Sequence, residues 1–276
     1  MKSYKYILCV LFFCCTSLAL TAQQKKIVIL HTSDTHSQME PVNQVSDRDF
    51  SKGGAVRRTV LLEKLRKDNP KLLLFDCGDF SQGTPYYNMF KGDAEIDMMN
   101  LMKYDAVMIG NHEFDFGLEN MARLFKRAKF PVVCSNYDLK GSVLEKIVKS
   151  YVIIVRNGVR IGVFGLGPQL EGLVQAKNYG SLKYEDPIAV SDKMVALLRE
   201  KEKCDLVVCL SHLGINEDKL FIPQSHGIDV VLGGHSHTFL KNPIYMHGKD
   251  GKKVILLHSG RKGVEVGEVQ VLLKEK

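Results

Sequence analysis

Five short apolar runs, Ile27 to Leu30, Leu72 to Phe75, Ala106 to Ile109, Leu206 to Leu210 and Ile228 to Leu232, each give way to a polar cluster. Runs this short and this rich in Val, Ile and Leu predict strands buried on both faces. Between them lie segments of helical period. Gly54 to Lys67 places Val56, Val60, Leu61 and Leu65 near one stripe and is stopped by Asn69-Pro70. Gly92 to Met102 spaces Ile96, Met99 and Met102 as a core-facing helix, and Gly117 leads into a helix over Leu118 to Ala128, followed by a strand at Val132 to Cys134.

The middle of the chain changes texture. Tyr151 to Val155 and Val159 to Phe164 flank Arg156-Asn157-Gly158, the pattern of a β-hairpin with a tight turn. Pro187 opens a helix that runs to about Lys201. The last runs, Lys253 to His258 and Val264 to Leu273, read as an antiparallel meander. Gly165-Leu166-Gly167 reads as an ordinary turn, and Gly53-Gly54 as a plain loop. The whole predicts mixed sheets covered by helices, without internal repeats or low-complexity linkers.

Composition narrows the class. A chain of 276 residues with 45% hydrophobic content has enough apolar material for a packed core. Met1-Lys2-Ser3-Tyr4-Lys5 precedes an apolar run from about Ile7 to Leu20 and then Thr21-Ala22, which reads as a signal peptide over residues 1–22. The expectation is an exported, periplasmic or secreted protein without a stable membrane anchor, its folded domain spanning 25–276. Four cysteines lie beyond that segment, Cys77, Cys134, Cys204 and Cys209, all in or beside predicted strands and none in a Cys-x-x-Cys spacing. The formal charge of +7 becomes +5 without Lys2 and Lys5, a mild excess that suits an anionic substrate. Its basic residues are short groups interleaved with acids, not the dense stripe of a nucleic-acid-binding surface.

The polar clusters carry the chemistry. They are Asp34-Thr35-His36, Gly78-Asp79, Gly110-Asn111-His112-Glu113-Phe114-Asp115, Ser211-His212 and Gly233-Gly234-His235-Ser236-His237. Ligands of open α/β sheets bind outside the carboxyl ends of the strands, so clusters far apart in sequence are expected to converge there. Carboxylates, imidazoles and an amide make a donor set of intermediate hardness, suited to zinc, manganese or iron. Two such ions about 3.5–4 Å apart can clamp an in-line displacement at phosphorus. One carboxylate must then bridge them, and Asp79, alone after its strand, is the choice. Taken singly, Asp34 is a turn residue and His212 a structural histidine, but separate turns have no reason to end five strands with complementary ligands. His31 is either a contact behind the ligands or a buried structural residue, His226 and His247 belong to the surface, and His258 is expected to lie outside the site.

In this order and number, the clusters resemble the motif set of the calcineurin-like metallophosphoesterases. His31 to Ser37, Gly78-Asp79 with Gln82-Gly83-Thr84-Pro85, and Gly110 to Gly117 are similar to the 5′-nucleotidase and UDP-sugar hydrolase family within it. The resemblance implies an α/β (α+β) fold, a four-layer α-β-β-α sandwich with two mixed sheets. It implies two divalent metal ions, the first on Asp34, His36, Asp79 and His237, the second on Asp79, Asn111, His212 and His235. It makes His112 the group that stabilises the phosphoryl charge and protonates the leaving oxygen, with Asp115 orienting its imidazole, and a metal-activated hydroxide the nucleophile.

The implied substrate is a small phosphorylated molecule, first a nucleoside 5′-monophosphate. The alternatives are a nucleotide-sugar pyrophosphate or a 2′,3′-cyclic nucleotide, and, in a different class, a non-catalytic phosphate-binding subunit. Two departures stand out. Many nucleotidases of the family carry Gln or Asn where this chain has His237, a change the ligand role survives. Full-length members also continue into a second domain that binds phosphate and base, whereas this chain stops at Lys276, which leaves room for a separate polypeptide that supplies it.

Overall fold

The computed structural model describes residues 24–273, so the expected signal segment lies outside the described residues. In chain order the first part supplies β1 (Lys25–Thr32), α1 (Ala55–Asp68), β2 (Leu73–Asp76), α2 (Pro85–Phe90), α3 (Asp93–Met102), β3 (Ala106–Met108), α4 (Gly117–Arg127) and β4 (Val132–Val133). The middle adds β5 (Tyr137–Asp138), β6 (Tyr151–Arg156), β7 (Val159–Leu166), α5 (Ala176–Tyr179), β8 (Lys183–Tyr184) and α6 (Pro187–Ala196), which continues as a π turn over Leu197–Lys201. The last part holds β9 (Leu206–Ser211), α7 (Ile215–Phe221), β10 (Val230–Gly233), β11 (Ile244–His247), β12 (Lys253–His258) and β13 (Gly267–Leu273).

Two mixed sheets result, as expected. The first has the order β13-β1-β2-β3-β4, with β1 to β4 parallel and β13 antiparallel on the edge. The second has the order β11-β12-β10-β9-β7-β6, parallel in its middle four strands and closed by antiparallel edges. A two-residue ribbon pairs β5 with β8.

Alternation along the second sheet separates the layers. Val159, Ile161, Val163, Leu206, Val208, Leu210, Val230 and Leu232 share one core with Ile29, Leu74 and Val107 of the first sheet. Their neighbours Phe164, Leu166, Val207, Cys209 and Val231 face the other way, against Val190 and Val195 of α6 and Phe221 of α7. On the first sheet, Leu62 of α1, Ile96 and Met99 of α3, and Met121 and Phe125 of α4 complete the packing. Helices, sheet, sheet and helices are therefore stacked in four layers, and strands buried on both faces read as unbroken apolar runs because each side chain has a layer to enter.

Several expectations need correction. The terminal runs form no meander: β12 lies parallel beside β10, and β13 crosses to the first sheet to pair antiparallel with β1. An apolar run records burial, not the identity of its neighbour. The half-buried β11, which covers one edge of β12, has no counterpart among the expected strands. Gly165 and Leu166 close β7 and do not form a turn. The helix after Gly54 exists, but it buries Ala55, Arg58 and Leu62 and leaves Val56 70% and Val60 62% exposed. All four cysteines are buried and unpaired. Among the described residues no helix is long and apolar enough to cross a membrane.

Candidate metal centre

Each polar cluster sits just beyond the carboxyl end of a parallel strand: Asp34 and His36 after β1, Asp79 after β2, Asn111 and His112 after β3, His212 after β9, His235 and His237 after β10. Because the two sheets face each other, these five ends meet at one rim. There they form two donor groups, Asp34 with His36 and His237, and Asp79 with His212 and His235. Within each group the ligand atoms lie within 4.8 Å of one another.

Backbone hydrogen bonds fasten the loops together. Asp34 N–H donates to Gly78 O at 2.9 Å and His36 N–H to Asp79 O at 3.0 Å, locking the first cluster to the second. His235 N–H donates to Asp34 Oδ1 at 3.0 Å, joining the two sheets at the site. Asp79 Oδ1 accepts from His112 N–H at 2.9 Å. Glu113 receives three amides, Asp79 N–H at 3.0 Å, Ser81 N–H at 3.0 Å and Gly110 N–H at 2.6 Å. The motif contains Glu113, but the expected ligand set gives it no role. A signal for one exists: a carboxylate in a stretch otherwise reading as buried must be fully bonded.

Close approach explains two glycines. A Cβ on Gly110 would lie 2.2 Å from Asp79 Oδ1, and one on Gly78 would lie 2.6 Å from Gly110 N. Only bare backbone lets the β2 and β3 loops pass so near each other. Strain accumulates around them. Asp34, His36, Asp79, His235 and His237 all have φ between 45° and 70°, the left-handed region, at about 1 kcal/mol each. Five of the seven expected ligands thus hold a conformation that local preference opposes, a pattern typical of functional sites.

The imidazoles point their free nitrogens inward. His212 Nδ1 lies 2.6 Å from Cys77 O, and His36 Nδ1 lies 3.3 Å from Ser81 O. A carbonyl partner fixes the proton on Nδ1 and leaves the Nε2 lone pair for a cation. The Nε2 atoms of His36 and His237 face each other at 2.9 Å, and His212 Nε2 lies 3.1 Å from Asp79 Oδ2. That last pair has the distance of an ion pair without the alignment of a hydrogen bond. His212 Nε2 and Asn111 Oδ1 are in fact both buried without a hydrogen-bond partner. Orphaned lone pairs at two expected ligand positions, beside carboxylates and further imidazoles, fit a pair of divalent cations.

Electrostatics agree. Burial pushes the Asp34 carboxyl up to about 8, against the His212 charge and with that of Asp79. Burial lowers His212, but Asp79 and Asp34 overcome it and raise the imidazole to about 10, so without a cation the carboxylates favour a proton on Nε2 in the place a cation would take. Burial holds His36 and His235 down at about 4. Buried acids and bases pressed this far from their ordinary values are what a site shaped for cations looks like from the protein side.

His112 stands beside the donors, its ring centroid 5.4 Å from that of His36. Its Nδ1 lies 3.2 Å from Asp115 Oδ2, and Asp115 O accepts from Asn178 Nδ2 at 3.0 Å. Burial lowers the His112 imidazole, yet the Asp115 hydrogen bond and the charges of Asp79, Asp115 and Glu113 outweigh it, so the net shift is upward.

His31 and His258 are buried behind the site. Neither ring nitrogen of His31 has a partner, whereas His258 Nε2 contacts Asp218 Oδ2 at 2.8 Å. His226 contacts Asp192 at 2.9 Å and His247 is exposed, both away from the rim.

Comparison with known proteins adds an independent line. The family model for calcineurin-like phosphoesterases matches residues 27–239. A snake venom 5′-nucleotidase of Crotalus adamanteus is 30% identical over 95% of the chain and 48% of its own length. The chain spans about half the length of the curated relatives it matches. The crystal structure of a 5′-nucleotidase precursor from Thermus thermophilus superposes with a TM-score of 0.83 at 31% identity, covering 91% of this chain and 54% of that one. The calcineurin-like phosphoesterase YfkN from Bacillus subtilis superposes with a TM-score of 0.78 at 25% identity, over 92% and 87%. Fold, strand-end clusters and a family match over most of the domain agree, and the chain belongs to the calcineurin-like phosphoesterases.

Proposed function

We propose that this domain hydrolyses a phosphoester of a small phosphorylated substrate, first among them a nucleoside 5′-monophosphate, with two divalent cations held at the rim. One observation carries the reading: two donor groups, each drawing ligands from both sheets, converge beside a carboxylate-supported histidine. The names of the matched relatives favour nucleotides as the substrate class.

Asp34, His36 and His237 would hold one ion, Asn111, His212 and His235 the other, with Asp79 between them. The ions would supply Lewis-acid stabilisation of the phosphoryl charge and acidify the attacking water. The chain's own residues do the rest. Glu113 and the loop hydrogen bonds hold the ligands at fixed separation, so little reorganisation accompanies reaction. His112, whose protonated form Asp115 favours, donates its proton to the leaving oxygen. Neither step calls for a covalent enzyme intermediate.

Base selectivity is assigned to a separate polypeptide or domain, since the matched relatives are about twice as long as the region they share with this chain. Export is part of the same proposal, supported by the basic and then apolar residues before Thr21.

The test is phosphate release by the metal-reconstituted protein with nucleoside monophosphates, 2′,3′-cyclic nucleotides and nucleotide sugars, each with zinc, manganese and iron. Turnover of monophosphates above the others supports the leading reading. Preference for a cyclic or pyrophosphate substrate would replace it. No hydrolysis with any metal, together with tight phosphate binding, would make the domain a binding subunit.

A further inference from the structure

Arg261 and Lys262 lie in the loop between β12 and β13, a stretch that in sequence is one of several short basic groups. In the fold that loop is tied to the metal rim from both sides. Gly260 N–H donates to Thr238 O at 2.9 Å, one residue beyond His237, and Lys262 N–H donates to Asp34 O at 2.7 Å. Ser33 Oγ–H adds a bond to Gly260 O at 3.4 Å. The backbone around Arg261 is therefore fixed beside two members of the first donor group.

A cavity of about 510 Å³ opens from the rim. His36, His112 and His237 line it, and Arg261 and Lys262 are the cationic residues of the same lining. Glu40, the acid lining the same space, accepts from Tyr86 Oη–H at 3.0 Å.

The two cations differ in how well they are satisfied. Lys262 Nζ meets Asp47 Oδ2 at 2.6 Å, and this bond, with a second from Asp49 N–H, pulls the Asp47 carboxyl down to about 2. Arg261 Nη2 reaches the same carboxylate only at 3.3 and 3.4 Å, and Asp49 at 3.9 Å. Asp49 is itself approached by Arg48 and Lys52. Arg261 Nε is buried with no acceptor. A guanidinium brings five donors in a rigid fork suited to carboxylate and phosphate oxygens, and a buried donor without an acceptor is costly. Asp47 is thus held more closely by Lys262 than by Arg261, whose side chain lines the cavity with only long bonds to that carboxylate and a buried Nε left without an acceptor.

We propose that Arg261 binds an anionic oxygen of the substrate, so that this domain supplies its own guanidinium to the phosphoester site. The proposal rests on the phosphoester reading above. The oxygen belongs either to the reacting phosphoryl group or to a second anionic group on the leaving group, since both would enter the same cavity.

Two esters separate these sources: phenyl phosphate, with a neutral leaving group, and 4-carboxyphenyl phosphate, with an anionic one. The metal-loaded full chain, Arg261→Ala and Arg261→Lys are compared in kcat/KM for each ester. Calorimetric affinity is measured for inorganic phosphate and for 4-carboxyphenyl phosphate, and a thermal melt shows that each variant is folded. Arg261→Ala should lose about 10- to 100-fold, the range for one charge-assisted bond, and Arg261→Lys less. Equal loss on both esters with weaker phosphate binding assigns the reacting phosphoryl group. Loss confined to the carboxyphenyl ester assigns the leaving group. If Arg261→Ala matches wild type in both esters and both affinities, the proposal is overturned. If wild type turns over neither ester, the hydrolase reading fails by itself, and the two affinities still decide Arg261.

Discussion

The loops after β1, β2 and β3 bring Asp34, His36, Asp79 and Asn111 to the rim, whereas those after β9 and β10 bring His212, His235 and His237. One sheet supplies the oxygen donors and a single imidazole; the other supplies three imidazoles and no carboxylate. Burial pushes Asp34 up to about 8, and His212 reaches about 10 because Asp79 and Asp34 outweigh its own burial. Acids from one layer and bases from the other meet at the rim, and the proposed cations would complete the balance.

Changes on the oxygen side should do the greatest damage. Asp79→Ala is expected to strip metal and reduce phosphate release to background, because Asp79 is assigned to both ions and its Oδ1 also anchors the His112 amide. Atomic emission on the dialysed, reconstituted variant checks this; retained metal would remove Asp79 from the bridging position. His112→Ala belongs to neither donor half and should leave metal content unchanged while lowering turnover about 10²–10⁴-fold. Unchanged turnover would take His112 out of the mechanism.

A smaller effect tests the support of His112. As a proton donor it works when charged, so activity is lost as pH rises through its pKa. Because the net shift is upward from 6.5, the basic limb of the pH–rate profile should lie above that value. Asp115→Asn removes the largest upward contribution and should move the limb to lower pH, with turnover down about tenfold at neutral pH. An unmoved limb would show that another group sets it. The mildest change is on the imidazole side. His237→Asn keeps a donor atom at a half-exposed position and should retain two ions with affinity weakened about 10-fold, read from a metal titration.

Much of this site is legible in sequence because its elements are local. A strand buried on both faces announces itself as an apolar run, and the ligands follow closely on its last residue, so Asp34, Asp79, Asn111, His212, His235 and His237 can be placed at strand ends before any pairing is known. What escapes depends on distant partners. The slot of β12 beside β10 and the return of β13 to β1 are set by which faces remain uncovered, and local hydrophobicity does not encode that. Glu113 binds amides of three residues in two loops, and Arg261 gains its meaning from bonds to Asp34 and Thr238 made by its neighbours. His258 is buried against Asp218, a contact that cannot be read from its place at the end of a strand.

The central claim is two donor groups, one ion each, shared between the sheets. The most direct test is the metal stoichiometry of the wild-type chain, titrated with zinc or manganese under calorimetry and confirmed by atomic emission. Two ions per chain are predicted, with His235→Ala, which removes a ligand of the second group alone, retaining one. Saturation at a single ion in wild type, or two ions still bound in His235→Ala, would contradict it.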